Sequence, residues 1–333
     1  MKHDYDFDPT YGYDLDALLQ VGAPDAPADF EAFWRETYEQ AMAVPPRPTV
    51  TQIDQTDRLT VYEVDFDSWG GVRLGGWLTV PREGDVMRGI VFGHGYGGRD
   101  KPDLNVPGPP AAVLFPCIRG FHRSAKPDLP STAARHVIHG IKSRETYLHR
   151  GSVADVWAAA SALVELYPGA ADCLDFIGGS FCGGIGALAL PWDDRFRRAA
   201  LRVPSFGNHP LRVTLPCRGS GEAVRAYIRH HSADAVLDVL AYFDAAVAAR
   251  WLEKPTLCQC ALFDPKVPPP GQFAVYNCLA GARSMLVRKA GHFDYPEQAE
   301  EDRMLHEHTA AWFAASDVTS LADARDETSV NER

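Results

Sequence analysis

The stretch Leu174-Asp175-Phe176-Ile177-Gly178-Gly179-Ser180-Phe181-Cys182-Gly183-Gly184 constrains the fold of this chain more than any other. An apolar, strand-like run enters a cluster of small residues, and an apolar, helix-forming stretch follows at once over 185–190. Small neighbours let strand and helix approach without Cβ clashes and hold a serine in a strained turn between them, as in the G-x-S-x-G pattern. Ser180 is therefore a candidate nucleophile. Cys182 stands where that pattern has its second glycine, but cysteine is small and Gly183 and Gly184 come next, so the turn can survive. Two other readings compete: a glycine-rich turn used only for packing, and one that cradles phosphate. The second lacks both G-x-G-x-x-G and the Lys-Ser/Thr ending of a P-loop.

A turn of this kind needs a parallel sheet around it, and the chain has the rhythm of one. Apolar runs at 89–92, 112–118, 174–177 and 199–203 alternate with helix-length segments such as 153–167, the pattern of buried parallel strands with crossover helices. It resumes with a helix at 235–252, a strand at 256–263, a helix at 269–280, a strand at 284–288 and a helix at 297–315. Ahead of these, 59–66 and 72–80 read as an antiparallel hairpin turning at Ser68-Trp69-Gly70-Gly71. Residues 1–50 form an N-terminal arm whose helix, 29–42, is closed by Pro45-Pro46-Arg47-Pro48. The catalytic domain spans 51–315. Within it 205–232, rich in proline, glycine and basic residues, interrupts the rhythm as a small lid or a long surface excursion. The polar tail 316–333 is expected to be partly disordered.

A serine nucleophile needs a base and a group to orient it, and in α/β-hydrolases these follow in the order Ser, Asp, His, each just past a strand. Asp264 closes the strand 256–263 and His292 follows the strand 284–288, so the expected triad is Ser180, Asp264 and His292. Alone, Asp264 could be a turn acid and His292 a loop histidine. Order and placement together favour the triad. Oxyanion donors are expected from the backbone N–H of Phe181, next to the serine, and of Tyr96, in the loop His94-Gly95-Tyr96-Gly97-Gly98. His94 lies in the same loop but precedes the serine, so His292 is preferred as base.

Other clusters carry less. Cys258 and Cys260 share one face of a strand and read as packing residues rather than metal ligands. His306-Glu307-His308 and His230-His231 read as solvated positions, so no metal and no cofactor is expected. Seven cysteines without framework spacing point to reduced thiols. The net charge of -11, from 33 basic and 44 acidic residues, with no basic stripe, argues against nucleic acid. The acidic start has no signal-peptide pattern and no apolar run is long enough for a bilayer, so a cytoplasmic protein without membrane attachment is expected.

The landmarks Asp29-Phe30-Glu31-Ala32-Phe33-Trp34, His94-Gly95-Tyr96-Gly97-Gly98, Arg119-Gly120, Gly178-Gly179-Ser180, Tyr242-Phe243-Asp244, Asp264 with Pro268-Pro269, Tyr276-Asn277 and Gly291-His292 occur in this order. From about Tyr13 to Phe313 the chain resembles the acetyl xylan esterase and cephalosporin C deacetylase family, carbohydrate esterase family seven. The resemblance implies an α/β-hydrolase core, a Ser-Asp-His triad at Ser180, Asp264 and His292, and homo-oligomeric enzymes that remove acetyl groups from sugars or cephalosporins, so a small-molecule ester is the expected partner. Three departures stand out. Phe121 replaces the glutamine of the family's Arg-Gly-Gln, Phe181 that of Ser-Gln-Gly-Gly, and Phe293 the glutamate of His-Glu. Phe121 and Phe293 are accordingly expected to bind a more apolar ester than a sugar acetate, unless they merely repack around the site. The same triad would also serve a thioester, lactone or amide, and a binding protein that has lost catalysis is the remaining alternative.

Overall fold

In a computed structural model that describes residues 1–316, strands occupy one nine-stranded sheet in the order β1-β2-β3-β5-β4-β6-β7-β8-β9. These are β1 Thr49–Gln55, β2 Leu59–Ser68, β3 Val72–Pro81, β4 Gly89–Gly93, β5 Ala112–Pro116, β6 Leu174–Gly179, β7 Phe196–Arg202, β8 Thr256–Ala261 and β9 Arg283–Arg288. The β1–β2, β2–β3 and β3–β5 pairs are antiparallel, and from β5 across to β9 the sheet is parallel. This is the α/β-hydrolase architecture expected from the sequence. The β2–β3 hairpin turns at Gly70 and Gly71, both left-handed at φ 77° and 73°, a conformation glycine adopts without steric cost.

β4, β5 and β8 are buried along their whole length, and β6 along all but its last residue, because both faces of the parallel region are covered. On one face lie the helices Phe30–Met42, Leu148–Leu166, Phe181–Ala189 and Pro269–Asn277, with Trp34, Trp157, Phe176, Phe181 and Phe273 in their core. On the other, Gln298–Ala314 sets Trp312 and Phe313 against Phe92, Phe115 and Ile177. The chain leaves β4 towards β5 on one side and returns to β6 on the other, so connections diverge above the C-terminal ends of β4 and β6. Open α/β sheets hold their ligands at such a divergence.

Two expectations need correction. The helix expected at 235–252 is broken into Ala233–Leu240 and Ala245–Ala248, with a short 3₁₀ turn between them. Asp244 makes the break: its carboxylate caps the second helix through the amides of Ala246 and Val247 and also accepts from those of Asn208 and His209. An edge strand, β1, was not foreseen, because every residue of Thr49–Gln55 is exposed and the segment has no apolar face. The segment 205–232 carries the helices His209–Arg212 and Ser220–Ile228. It is tied to the N-terminal arm by Tyr11, whose hydroxyl donates to the Pro216 carbonyl at 2.7 Å. All seven cysteines are unpaired thiols. No helix among the described residues is long and apolar enough to cross a membrane. The tail expected to be disordered lies, from residue 317 on, outside the described residues.

Candidate active site

Ser180 sits between β6 and the helix Phe181–Ala189 with φ 52° and ψ −107°, a conformation that costs energy for any residue with a Cβ. The strain is held by the backbone: the Ser180 amide donates to the Arg202 carbonyl at 2.8 Å, and its carbonyl accepts from Gly184 and Ser205. The departure at Cys182 is absorbed by β4. A Cβ built on Gly93 would lie 2.5 Å from the Cβ of Cys182, so the cysteine occupies space that a side chain at 93 would need.

His292, at φ 49° four residues past β9, bridges the other two candidates. Its Nε2 is 3.1 Å from Ser180 Oγ and its Nδ1 2.8 Å from Asp264 Oδ2. Those are the distances at which an imidazole exchanges a proton with a hydroxyl on one side and is oriented by a carboxylate on the other. Asp264 is fully buried, and its Oδ1 accepts the amides of Lys266 and Val267 at 2.8 and 2.9 Å. Gln272 donates to Oδ2 at 3.1 Å while its own oxygen accepts from the Ala261 amide, which locks the carboxamide in place. Sequence reasoning missed Gln272. Its only signal was a polar residue in a helix that is otherwise apolar on its buried side.

The Asp264 amide donates to the Pro9 carbonyl at 3.1 Å. The N-terminal segment therefore forms part of the site's frame, with the rings of His3, Tyr5, Phe7 and Tyr11 stacked in succession and Tyr5 edge-on to Phe293. Phe293 is half-buried and packs on Phe263 at 5.0 Å between centroids.

The loop after β4 is anchored from below. Tyr96 stacks on Phe181 at 4.2 Å, and its hydroxyl reaches His149 Nε2 at 2.9 Å and His136 Nδ1 at 3.4 Å. Among the described residues, neither the Tyr96 nor the Phe181 amide donates a hydrogen bond within the protein. His94 is not available as a base. Its Nδ1 donates to the Gly95 carbonyl at 2.7 Å, its Nε2 accepts the Ile118 amide at 3.0 Å, and burial pushes its pKa down to about 4. Burial likewise lowers His136 and His209 to about 3 and keeps His149 neutral.

Phe121 departs from expectation. It was expected to contact substrate, but it is 2% exposed and lies beneath the loop, against His94, Tyr96, His136 and Phe181. Arg119 fixes it there through a two-pronged ion pair with the buried Asp155, at 2.9 and 2.7 Å. Phe181 is also fully buried. Of the three phenylalanines at departures from the family pattern, only Phe293 reaches the surface beside the site.

A sequence profile of the acetyl xylan esterase (AXE1) family matches residues 14–310. Among solved structures, an acetyl xylan esterase from a Paenibacillus species superposes with a TM-score of 0.79 at 23% identity, covering 89% of this chain and 99% of that one. The acetyl xylan esterase 1 of a Thermoanaerobacterium species gives 0.75 at 18%, covering 91% and 99%. The acylaminoacyl peptidase of Pyrococcus horikoshii gives 0.55 at 14%, covering 82% of this chain and 42% of that one. At these identities the structural likeness speaks for the fold.

Proposed function

This chain belongs to the acetyl xylan esterase family, and from that premise we propose that it is a serine carboxylic-ester hydrolase of the deacetylase type, acting through an acyl-enzyme on Ser180. The observation that carries the reading is the single imidazole of His292 held between Ser180 Oγ and Asp264 Oδ2.

In this reading His292 Nε2 takes the proton of Ser180 as Oγ attacks the ester carbonyl. Charge collects on the carbonyl oxygen, and the free amides of Phe181 and Tyr96 stabilise it. The intermediate collapses as His292 returns the proton to the departing alcohol, leaving the acyl group on Ser180. Water, deprotonated by the same imidazole, then releases the acid. Asp264 keeps the proton of the neutral ring on Nδ1 and stabilises the imidazolium, and Gln272 with the amides of Lys266 and Val267 holds the carboxylate still.

An apolar contribution to substrate choice falls to Phe293, since Phe121 and Phe181 are buried in the support of the loop. The partner is a small-molecule ester. A fluorophosphonate probe tests the mechanism: peptide mass analysis should find the label on Ser180, with turnover of a small aryl acetate lost in proportion. Labelling elsewhere, or an unlabelled protein that is inert towards esters, would leave the binding-protein alternative standing.

A further inference from the structure

A second feature adjoins the nucleophile turn. The loop from β4 to β5, together with Phe92 and Arg202, borders an open cavity of about 900 Å³ that reaches Gly95 and Gly179. Gly179 precedes Ser180, and a Cβ built on Gly95 would lie 3.7 Å from that of Ser180. The cavity therefore begins next to the serine.

Its walls are cationic. Arg99 and Arg202 both line it, and both lay their guanidinium groups on the ring of Phe92, at 4.8 and 5.6 Å from its centroid. Arg58 and Lys101 add two more positive charges against Asp100 and Asp103. A local excess of positive charge in a chain of net charge -11 is not a consequence of composition.

Neither Arg99 nor Arg202 forms an ion pair among the described residues, and the Nε of each is buried without a hydrogen-bond partner. Among the buried guanidinium groups elsewhere in the described residues, Arg119 is paired with Asp155, whereas Arg150, Arg198 and Arg212 are met by hydroxyl or carbonyl oxygens; Arg99 and Arg202 have neither. Placing two half-buried cations on one aromatic ring costs desolvation and mutual repulsion, which the ring of Phe92, and for Arg99 also that of Phe115, offsets only in part. Burial lowers the pKa of both, but arginine stays charged at any pH where the protein is folded. Asp103 is the carboxylate nearest in influence to each, yet it is exposed and spends an oxygen on the Asn105 amide.

We propose that this cavity is an oxyanion-recognition subsite, in which Arg99 and Arg202 bind a carboxylate or similar anionic group carried by the ester substrate. The proposal rests on the esterase reading and narrows it to esters with a negative charge a few bonds from the scissile carbonyl. Guanidinium groups suit this task, since each presents a planar set of donors to two oxygens. Phe293 and the cavity then offer the two parts of one substrate different surroundings.

Two matched pairs of esters test it: para-nitrophenyl hemisuccinate against para-nitrophenyl butyrate, with the charge on the acid side, and para-acetoxybenzoate against para-acetoxybenzamide, with the charge on the alcohol side. After correction for hydroxide-catalysed rates, wild type should favour the anionic member of at least one pair by about tenfold or more in kcat/KM. The favoured pair identifies which half enters the cavity. Arg99→Gln and Arg202→Gln should each collapse that ratio towards one. In wild type, sulfate at matched ionic strength should raise the KM of the anionic ester more than that of its neutral twin, a readout that needs no variant to fold. Turnover of the neutral esters with no preference in either pair would overturn the subsite and leave the serine esterase intact. An enzyme inert to all four, with Ser180 unlabelled by fluorophosphonate, would overturn both.

Discussion

The side chain of Cys182 fills the space that the absent side chain of Gly93 leaves, so that a Cβ at position 93 would lie 2.7 Å from the cysteine sulfur. The strand β4 and the helix after Ser180 are thus fitted to each other through one glycine and one cysteine. Gly93→Ala should overpack this contact and lower stability by about 1 to 3 kcal/mol, with turnover falling as the turn shifts. Cys182→Gly in the same chain should recover much of both. Urea midpoints of the two single variants and the double variant measure the coupling, and strictly additive effects would show that the residues do not share the space.

The reacting residues themselves should separate by degree. Ser180→Ala and His292→Ala are each expected to reduce kcat for a small aryl ester by about a thousandfold or more, with thermal stability nearly unchanged. Asp264→Asn should lose nearly as much, since an amide donates to the ring and favours the wrong tautomer. Gln272→Met removes one donor to the Asp264 carboxylate. A loss of roughly tenfold, in kcat and not in KM, is expected from one buried charge-assisted hydrogen bond. Equal losses in Gln272→Met and Ser180→Ala would mean that the glutamine holds the fold together and does not tune the acid.

Acid should unfold this protein early. His94, His136, His149 and His209 are buried, and burial depresses all four in the folded state, His94 to about 4 and His136 and His209 to about 3. The unfolded chain binds these protons below about pH 6.5 while the folded one does not, so stability is lost as pH falls through that value. Asp244 has the opposite sign, because burial raises it to about 6 and the folded state takes up its proton first. Near pH 5 these five groups alone favour the unfolded chain by about three protons, a contribution to the slope of about 4 kcal/mol per pH unit. Denaturant midpoints from pH 7.5 to 4.5 should fall steeply below about pH 6.5, and a flat profile down to pH 5 would refute the buried neutral histidines.

Phe121 and Phe293 should respond to substitution in different currencies. Phe121→Gln replaces a buried ring by an amide with no partner provided, and a loss of about 3 kcal/mol in stability is expected. Phe293→Glu, at a half-buried rim position, should leave stability nearly unchanged and lower kcat/KM for apolar aryl esters by about tenfold. Melting temperatures and specificity ratios on the two variants distinguish them, and the reverse pattern would return Phe121 to the pocket wall.

Much of this was legible in the sequence because the central parallel strands are covered on both faces and therefore read as largely apolar runs, as in Gly89–Gly93 and Ala112–Pro116. Ser180 and Asp264 could be picked out because each follows the end of such a run, and His292 because it follows the shorter apolar core of the half-buried edge strand Arg283–Arg288. What was not legible depends on contacts distant along the chain. The edge strand Thr49–Gln55 exists by pairing with β2 and carries no buried face to advertise it. The break at Asp244 depends on amides 35 and 36 residues away, and the anchors of Tyr96 come from His136 and His149, 40 and 53 residues on. Phe121 looked like a pocket residue because its sequence position lies beside the site, whereas the Arg119–Asp155 pair turns it underneath.

The hydrogen bond from the Asp264 amide to the Pro9 carbonyl joins two segments that lie far apart along the chain. The segment around Pro9 is made before the Asp264 amide it accepts from, so that contact has to wait through more than two hundred residues of synthesis. The frame of the site is therefore closed late, once Asp264 and His292 have joined the segments made before them. A nascent chain arrested anywhere before β9 lacks His292 and so has no base for Ser180, however much of the sheet precedes it.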